Sequence, residues 1–189
     1  MMPMPAELPT GAILRPIELP DAPALRETSL RNLDRFRRSS PRQPDSYWTP
    51  EGQRERVETA VRRNEAGEAL CLAIARADAV LGLVILSTIV RGPFCNTSLG
   101  YWIDAAEEGR GITSAAVAAT CTIAERDLGL HRIDASTLPD NRASQRVLTK
   151  NGFELYGRPR DYIYLDDAWQ EAVLFQRILH DRPPPAGSA

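Results

Sequence analysis

The stretch Leu138-Pro139-Asp140-Asn141-Arg142-Ala143-Ser144-Gln145-Arg146-Val147-Leu148, running on to Asn151-Gly152-Phe153, decides how the rest of the chain is read. Pro139–Arg142 reads as a turn, Ala143–Asn151 as a helix, and Gly152-Phe153 as the entry to a strand. Asn141 suits the N-cap of that helix, with Val147 and Leu148 on its core face. Capping accounts for Asn141 but not for Ser144, which lies one turn along the same helix. Upstream stands Gly109-Arg110-Gly111-Ile112-Thr113-Ser114, between an apolar strand and a helix. Two glycines allow tight backbone approach, and the free N–H groups of a helix start form an anion site suited to a diphosphate. Thr113 and Ser114 add hydroxyls. A P-loop would need GxxxxGK[ST], and the dinucleotide fingerprint would need a third glycine where Ser114 stands. By itself the GxG leaves a purely structural turn open.

Outward from these two stretches, the elements alternate. Ala12–Ile17 reads as a strand, and Pro20-Asp21 opens a helical stretch carrying Leu25, Leu30 and Leu33. Thr49-Pro50-Glu51 starts a polar helix that runs to about Gly67. Leu70–Ala75 and Val80–Val90 read as a hairpin, and Cys95–Asp104 as a further strand with Leu99, Tyr101 and Ile103 in alternation. The helix after the GxG carries Val117, Cys121, Ala124 and Leu128 on one face and closes at Gly129. His131–Ser136 is a short strand, and Tyr162–Leu165 with Ala172–Leu179 reads as a terminal hairpin. This order indicates an α+β domain around one mostly antiparallel sheet. Residues 1–10 and 182–189, rich in proline, read as tails around a single domain at 11–181.

The chain of 189 residues is 43% hydrophobic and 25% charged with a formal charge of −2, which leaves no global field for nucleic acid or an anionic membrane. Its basic residues are 22 Arg and one Lys, Lys150, an imbalance that fits a genome-wide bias. Arg35, Arg37, Arg38 and Arg42 form a cluster that reads as a solvated face or a surface for an acidic partner. Cys71, Cys95 and Cys121 are far apart with no CxxC pair, so neither a structural zinc site nor a disulfide framework is expected, and no metal. Without a signal peptide or an apolar span, the protein is expected to be soluble and cytoplasmic.

The two opening stretches together, GRGITSAAV and LHRIDASTLPDNRASQRVLTKNGFELYG, resemble the GCN5-related N-acetyltransferase (GNAT) superfamily, and within it the RimJ/RimL branch, which acetylates the N-termini of ribosomal proteins. The resemblance covers roughly residues 12–180. It implies a three-layer α/β/α sandwich of about seven strands and about four helices, with acetyl-CoA as cosubstrate in a V opened between two central strands. Gly109, Arg110, Gly111, Ile112, Thr113 and Ser114 would hold the pyrophosphate, with Arg146 nearby. Backbone groups of Tyr101, Trp102 and Ile103 would pair with the pantetheine, and Asn141 and Ser144 would face the pantetheine and the leaving sulfur. The acceptor would enter over the first helices and the Tyr162–Trp169 hairpin. It would be a protein or peptide N-terminus or a small amine, and the protein a monomer or homodimer.

Acetyl transfer needs a neutral amine, donors for the carbonyl oxygen and a proton for the thiolate, with Ser144 assisting rather than attacking. Many relatives carry Glu two residues before the GY pair, where this chain has Ser98, and TEA after the GxG, where it has Ser114-Ala115-Ala116. A water held by Ser98, or a carboxylate from Glu107, Glu108 or Asp161, is then the candidate base. An α-amine of pKa about 7.7–8.0 is roughly one-fifth to one-third neutral near pH 7.4, and a lysine only about 0.1%. A weak base therefore serves an N-terminus better than a lysine. Acetylation of a small amine or antibiotic, a catalytically weak acetyl-CoA-binding regulatory module, and RNA binding through the Arg cluster are the alternatives.

Overall fold

The computed structural model describes residues 3–165 and 167–184, apart from the side chains of Arg38 and Ser39. Its strands are β1 (Ala6–Glu7), β2 (Ile13–Pro16), β3 (Leu70–Arg76), β4 (Ala79–Val90), β5 (Asn96–Ile103), β6 (Arg132–Thr137), β7 (Glu154–Gly157), β8 (Ile163–Leu165), β9 (Ala168–Gln170) and β10 (Val173–Ile178). Its helices are α1 (Ala22–Arg31), α2 (Leu33–Ser39), α3 (Pro50–Glu65), α4 (Ile112–Arg126) and α5 (Arg142–Lys150), with a 3-10 turn at Asp45–Trp48.

Eight strands form the main sheet in the order β1-β2-β3-β4-β5-β6-β10-β7, and β8 and β9 make a separate ribbon. β3 is buried along almost its whole length because helices cover both faces, so it reads as a continuous apolar run rather than an alternation. On one face Leu25 and Val57 of α1 and α3 pack against Ala73 and Leu83. On the other, Val117 and Cys121 of α4 and Leu148 of α5 pack against Leu72, Leu99 and Ile133. The α/β/α layering is as expected, with eight sheet strands and five α-helices in place of about seven and four.

β5 and β6 are the parallel neighbours, joined by the α4 crossover, and they pair only from Asn96↔Arg132 to Leu99↔Ala135. Both strands run on, to Ile103 and Thr137, without pairing to each other. This is the V.

Three expectations change. The 1–10 tail contains β1, which pairs Ala6 with Leu14. The terminal hairpin closes between β8 and β9, through Leu165↔Ala168, and β10 instead enters the main sheet between β6 and β7. Val173 and Phe175 of β10 alternate into the core, which an exposed ribbon could not offer them. The first helical stretch breaks at Asn32. Residues 185–189 of the expected C-terminal tail lie outside the described residues. Among those described, no helix is long and apolar enough to cross a membrane.

The break at Asn32 has a cause. The buried Asn32 amide donates to Thr28 O and to Asp104 Oδ1, and its oxygen accepts from the Ala105 N–H. Arg31 closes on Asp104 Oδ2 at 2.9 Å. The cluster ties the α1–α2 junction to the end of β5. Burial opposes the Asp104 charge, but hydrogen bonds from Asn32, Arg31 and the Ala106 N–H outweigh it and hold the pKa below the usual value. A depressed carboxylate pKa contributes stability above its unfolded value of about 3.9, and the contribution is lost as pH falls through the folded value. Asp104→Asn is therefore expected to lose about 1–3 kcal/mol in urea unfolding at pH 7, with the gap to wild type closing below about pH 3.9.

Candidate active site

Two clefts open where β5 and β6 part. One, of about 550 Å3, lies toward the start of α4 and α5; the other, of about 740 Å3, is bounded by α2, the 3-10 turn and the β8–β9 ribbon. Both are lined by Phe36, Tyr101, Trp102, Asn141 and Ser144, so they meet at these five side chains.

The first cleft contains Gly109, Gly111, Thr113 and Ser114. Gly109 and Gly111 have φ of +74° and +78°, left-handed conformations that favour glycine. Gly111 is the N-cap of α4 and supplies no capping side chain, so the helix start presents its N–H groups uncapped. Ile112 is buried in the core and can offer only its backbone. Arg110 does not line the cleft. It donates to Glu107, which Arg76 also grips in a two-pronged ion pair, and these guanidiniums hold the Glu107 carboxyl below its usual pKa. Arg146 and Lys150 of α5 face the cleft, as does Arg35 of α2, which is ion-paired with Glu108.

At the junction, Asn141 caps α5 by accepting from the Ser144 N–H at 3.1 Å. Ser144 Oγ lies 2.7 Å from the Tyr101 hydroxyl, which also reaches the Ser144 carbonyl at 3.1 Å. Burial pushes the Tyr101 phenol up to about 12, against the Ser144 hydrogen bond, so it stays a proton donor at working pH. Tyr101 was expected to act through its backbone; its side chain is the partner of Ser144. Phe36 packs edge-on to Trp102 with ring centroids 4.9 Å apart.

In the second cleft, Gly100, Ile85 and Ser136 lie between Tyr47, Trp48 and Arg56 on one side and Tyr164 and Asp167 on the other. Arg37 and Arg42 also line it, which gives two members of the Arg cluster a place. Tyr164, not Tyr162, faces the opening. Ser98 lies outside both clefts, because it sits where β5 still pairs with β6, opposite Asp134, before the strands part. Glu107 and Glu108 belong to the first cleft and are ion-paired, and Asp161 lines neither. Neither His131 nor His180 lines a cleft; the two rings meet edge-on with centroids 5.9 Å apart. Cys95 is buried and donates to Gly129 O.

Ala143, Val147 and Lys150 share the cleft side of α5 with Arg146, a helical spacing visible in the sequence once Asn141 is taken as the cap. Phe36 and Arg35 lie far away along the chain; Arg35 stands out in the sequence only as a member of the Arg cluster, and no local pattern marks Phe36.

These features give two clefts that meet at one set of side chains, an arrangement that suits a two-substrate transfer. Residues 12–154 match the acetyltransferase (GNAT) domain family, and the chain belongs to it. It is 37% identical over 129 residues to the probable N-acetyltransferase YjcK of Bacillus subtilis, an alignment covering 67% of this chain and 71% of that protein. It is 30% identical over 146 residues to the [ribosomal protein uS5]-alanine N-acetyltransferase of Escherichia coli, covering 76% and 75%. Its fold matches the crystal structure of the ribosomal-protein-S5-alanine acetyltransferase from Vibrio fischeri with a TM-score of 0.91 at 28% identity, over 96% of this chain and 100% of the other. The protein is an N-acetyltransferase.

Gly111→Ala would place a side chain at φ +78° with open space around the new Cβ, so its effect is backbone strain rather than clash. A stability loss of roughly 1–2 kcal/mol is expected by thermal unfolding. An unchanged melting temperature would show that the left-handed turn is not required.

Proposed function

We propose that the protein transfers the acetyl group of acetyl-CoA directly to the N-terminal α-amine of a protein, a ribosomal protein being the substrate class indicated by its relatives, in the cytoplasm. The observation that carries this is the meeting of two clefts at Tyr101, Trp102, Asn141 and Ser144.

The first cleft fits acetyl-CoA. The uncapped start of α4, with open space above Gly109 and Gly111, suits a pyrophosphate, and Arg146 and Lys150 suit further phosphate charge. When bound, the cosubstrate supplies an electrophilic acyl carbon and a sulfur leaving group. The edge of β5 beyond Leu99, left unpaired by β6, offers backbone donors and acceptors to a pantetheine arm and a donor to the acyl oxygen. Tyr101 orients the Ser144 hydroxyl toward the junction, where it donates to the departing sulfur. A thiol of ordinary pKa about 8.5 leaves readily enough that hydrogen bonding suffices.

The second cleft, about 740 Å3, has an opening and a length that can admit a chain terminus. Phe36, Trp48 and Trp102 make apolar walls, and Arg37, Arg42 and Arg56 with Asp45 and Asp167 put both charges at its sides. The α-amine reading rests also on chemistry, since the carboxylates that line this cleft, Asp45 and Asp167, are both on exposed turns.

Peptides beginning with Ala or Ser are expected to be acetylated faster than blocked peptides with an internal lysine at pH 7.4, measured by thiol release with mass spectrometry of the product. Faster lysine acetylation would overturn the reading. Ser144→Ala should lower kcat about tenfold to a hundredfold with little change in acetyl-CoA affinity, and Tyr101→Phe should follow it with a smaller loss.

A further inference from the structure

Two arginines of the sequence cluster, Arg37 and Arg42, line the second cleft, where the acceptor enters, and α3 adds a third guanidinium there, Arg56. Arg37 and Arg42 are exposed. The ion pair of Arg37 with Asp34, at 3.7 Å, joins two exposed side chains and is worth little. Arg56 is half-buried, and the other half-buried arginines of the chain are all engaged. Arg15 pairs with Asp21, Arg76 with Glu107 and Arg132 with Asp134, while Arg26 and Arg177 donate to the backbone carbonyls of Trp48 and Asn151. Arg56 has no carboxylate or carbonyl partner among the described residues.

Its guanidinium is nonetheless held in place. The central carbon stands over the Tyr47 ring, 5.2 Å from the centroid, and Nη1 donates to Gln53 Oε1 at 3.3 Å. Gln53 is buried and fixed in turn, because its amide donates to Tyr47 O at 2.6 Å. Nε and Nη2 of Arg56 are left without partners among the described residues. Both keep surface open to solvent, unlike the buried Nε of Arg76 and of Arg132. A fork of donors stacked on an aromatic face at the wall of a cleft matches a carboxylate in geometry as well as in charge. Asp45 and Asp167 line the same cleft and form no salt bridge with these arginines among the described residues. Three guanidiniums beside two carboxylates oppose a polyanion such as a nucleic acid strand, which gains by releasing counterions along a surface of one sign, and suit a chain of mixed charge.

We propose that the second cleft selects a protein N-terminus with an acidic side chain, Asp or Glu, among its second to fifth residues, with Arg56 receiving the carboxylate in a two-pronged pair and Arg37 and Arg42 drawing the acidic segment in. The inference rests on the α-amine reading above and names the sequence class of that substrate. With the amine at the Tyr101–Ser144 junction, an extended chain advances about 3.3 Å per residue, so its fifth residue stands about 13 Å along the cleft. Arg56 touches the acceptor away from the reacting atoms. It sets which N-termini are used and takes no part in the transfer itself.

The test measures kcat/KM by thiol release with acetyl-CoA at low salt, for Ala-starting peptides that are identical except for Glu, Gln or Arg at each of the second to fifth positions in turn. If wild type turns over none of them, the α-amine reading fails and this inference with it. With turnover present, the expected result is a Glu-over-Gln ratio of about ten at one position, Arg poorer than Gln there, and a ratio that falls as salt is raised. Arg56→Gln should bring that ratio to about one, and Arg56→Glu should invert the preference in favour of the Arg peptide. Arg56→Lys should keep only part of it, since an ammonium lacks the two-pronged fit. Each ratio is taken within one variant, so a general loss of folding or activity cancels. A wild-type ratio near one at every position, a preference for the Arg peptides, or a Glu preference that survives in Arg56→Gln would overturn the proposal. So would a flat peptide series with inhibition by a single-stranded RNA oligonucleotide, which would assign the guanidiniums to phosphates.

Discussion

β5 and β6 share backbone hydrogen bonds over four residue pairs and no more, and the rest of the site depends on where that pairing stops. A parallel pair inside a sheet ordinarily satisfies its backbone to the end of both strands. Here the strands diverge after Leu99 and Ala135 while each stays bound to its outer neighbour, β4 on one side and β10 on the other. Half of the backbone edge of Gly100–Ile103 is therefore left for a ligand. The α4 crossover returns the chain so that a helix start stands above this gap, and α5 brings Ser144 within 2.7 Å of the Tyr101 hydroxyl. Helix start, backbone edge and the Tyr101–Ser144 pair all meet at one interruption in the sheet.

The charges are arranged around that gap. Glu107 and Glu108 are ion-paired with Arg76, Arg110 and Arg35, while Arg146 and Lys150 line the same cleft with no salt bridge among the described residues. The Asn32–Asp104–Arg31 cluster pins the break between α1 and α2 to the end of β5, which is why α2 can carry Phe36 and Arg35 to the junction. Local binding sites of this kind are invisible in a formal charge of −2.

Much of this was legible in the chain. The Gly109–Ser114 and Asn141–Ser144 stretches are local in sequence, because a helix start and a helix cap are built from consecutive residues, and the structure brings both to one place. Tyr101 was found, but only for its backbone, since its contact with Ser144 spans 43 positions. Ser98 lies outside both clefts for a similar reason: strand alternation gives its face, but only the register with β6 shows that the strands have not yet parted there. The hairpin assigned to residues 162–179 failed because the alternation of Val173 and Phe175 satisfies a sheet interior as well as a ribbon, and tertiary burial decided between them. Arg35 was marked only as part of the Arg cluster, and Phe36, which reaches the junction through long-range contacts, had no local signal at all.

The central claim is that the backbone edge of β5 past Leu99, together with the start of α4, receives the acetyl donor. Amide hydrogen exchange of the full chain with and without CoA addresses it directly, residue by residue. New protection is expected to concentrate in Gly100–Ile103 and Ile112–Ser114, with little change where β5 already pairs with β6 at Asn96–Leu99. Protection absent from Gly100–Ile103 while CoA is bound elsewhere would contradict it.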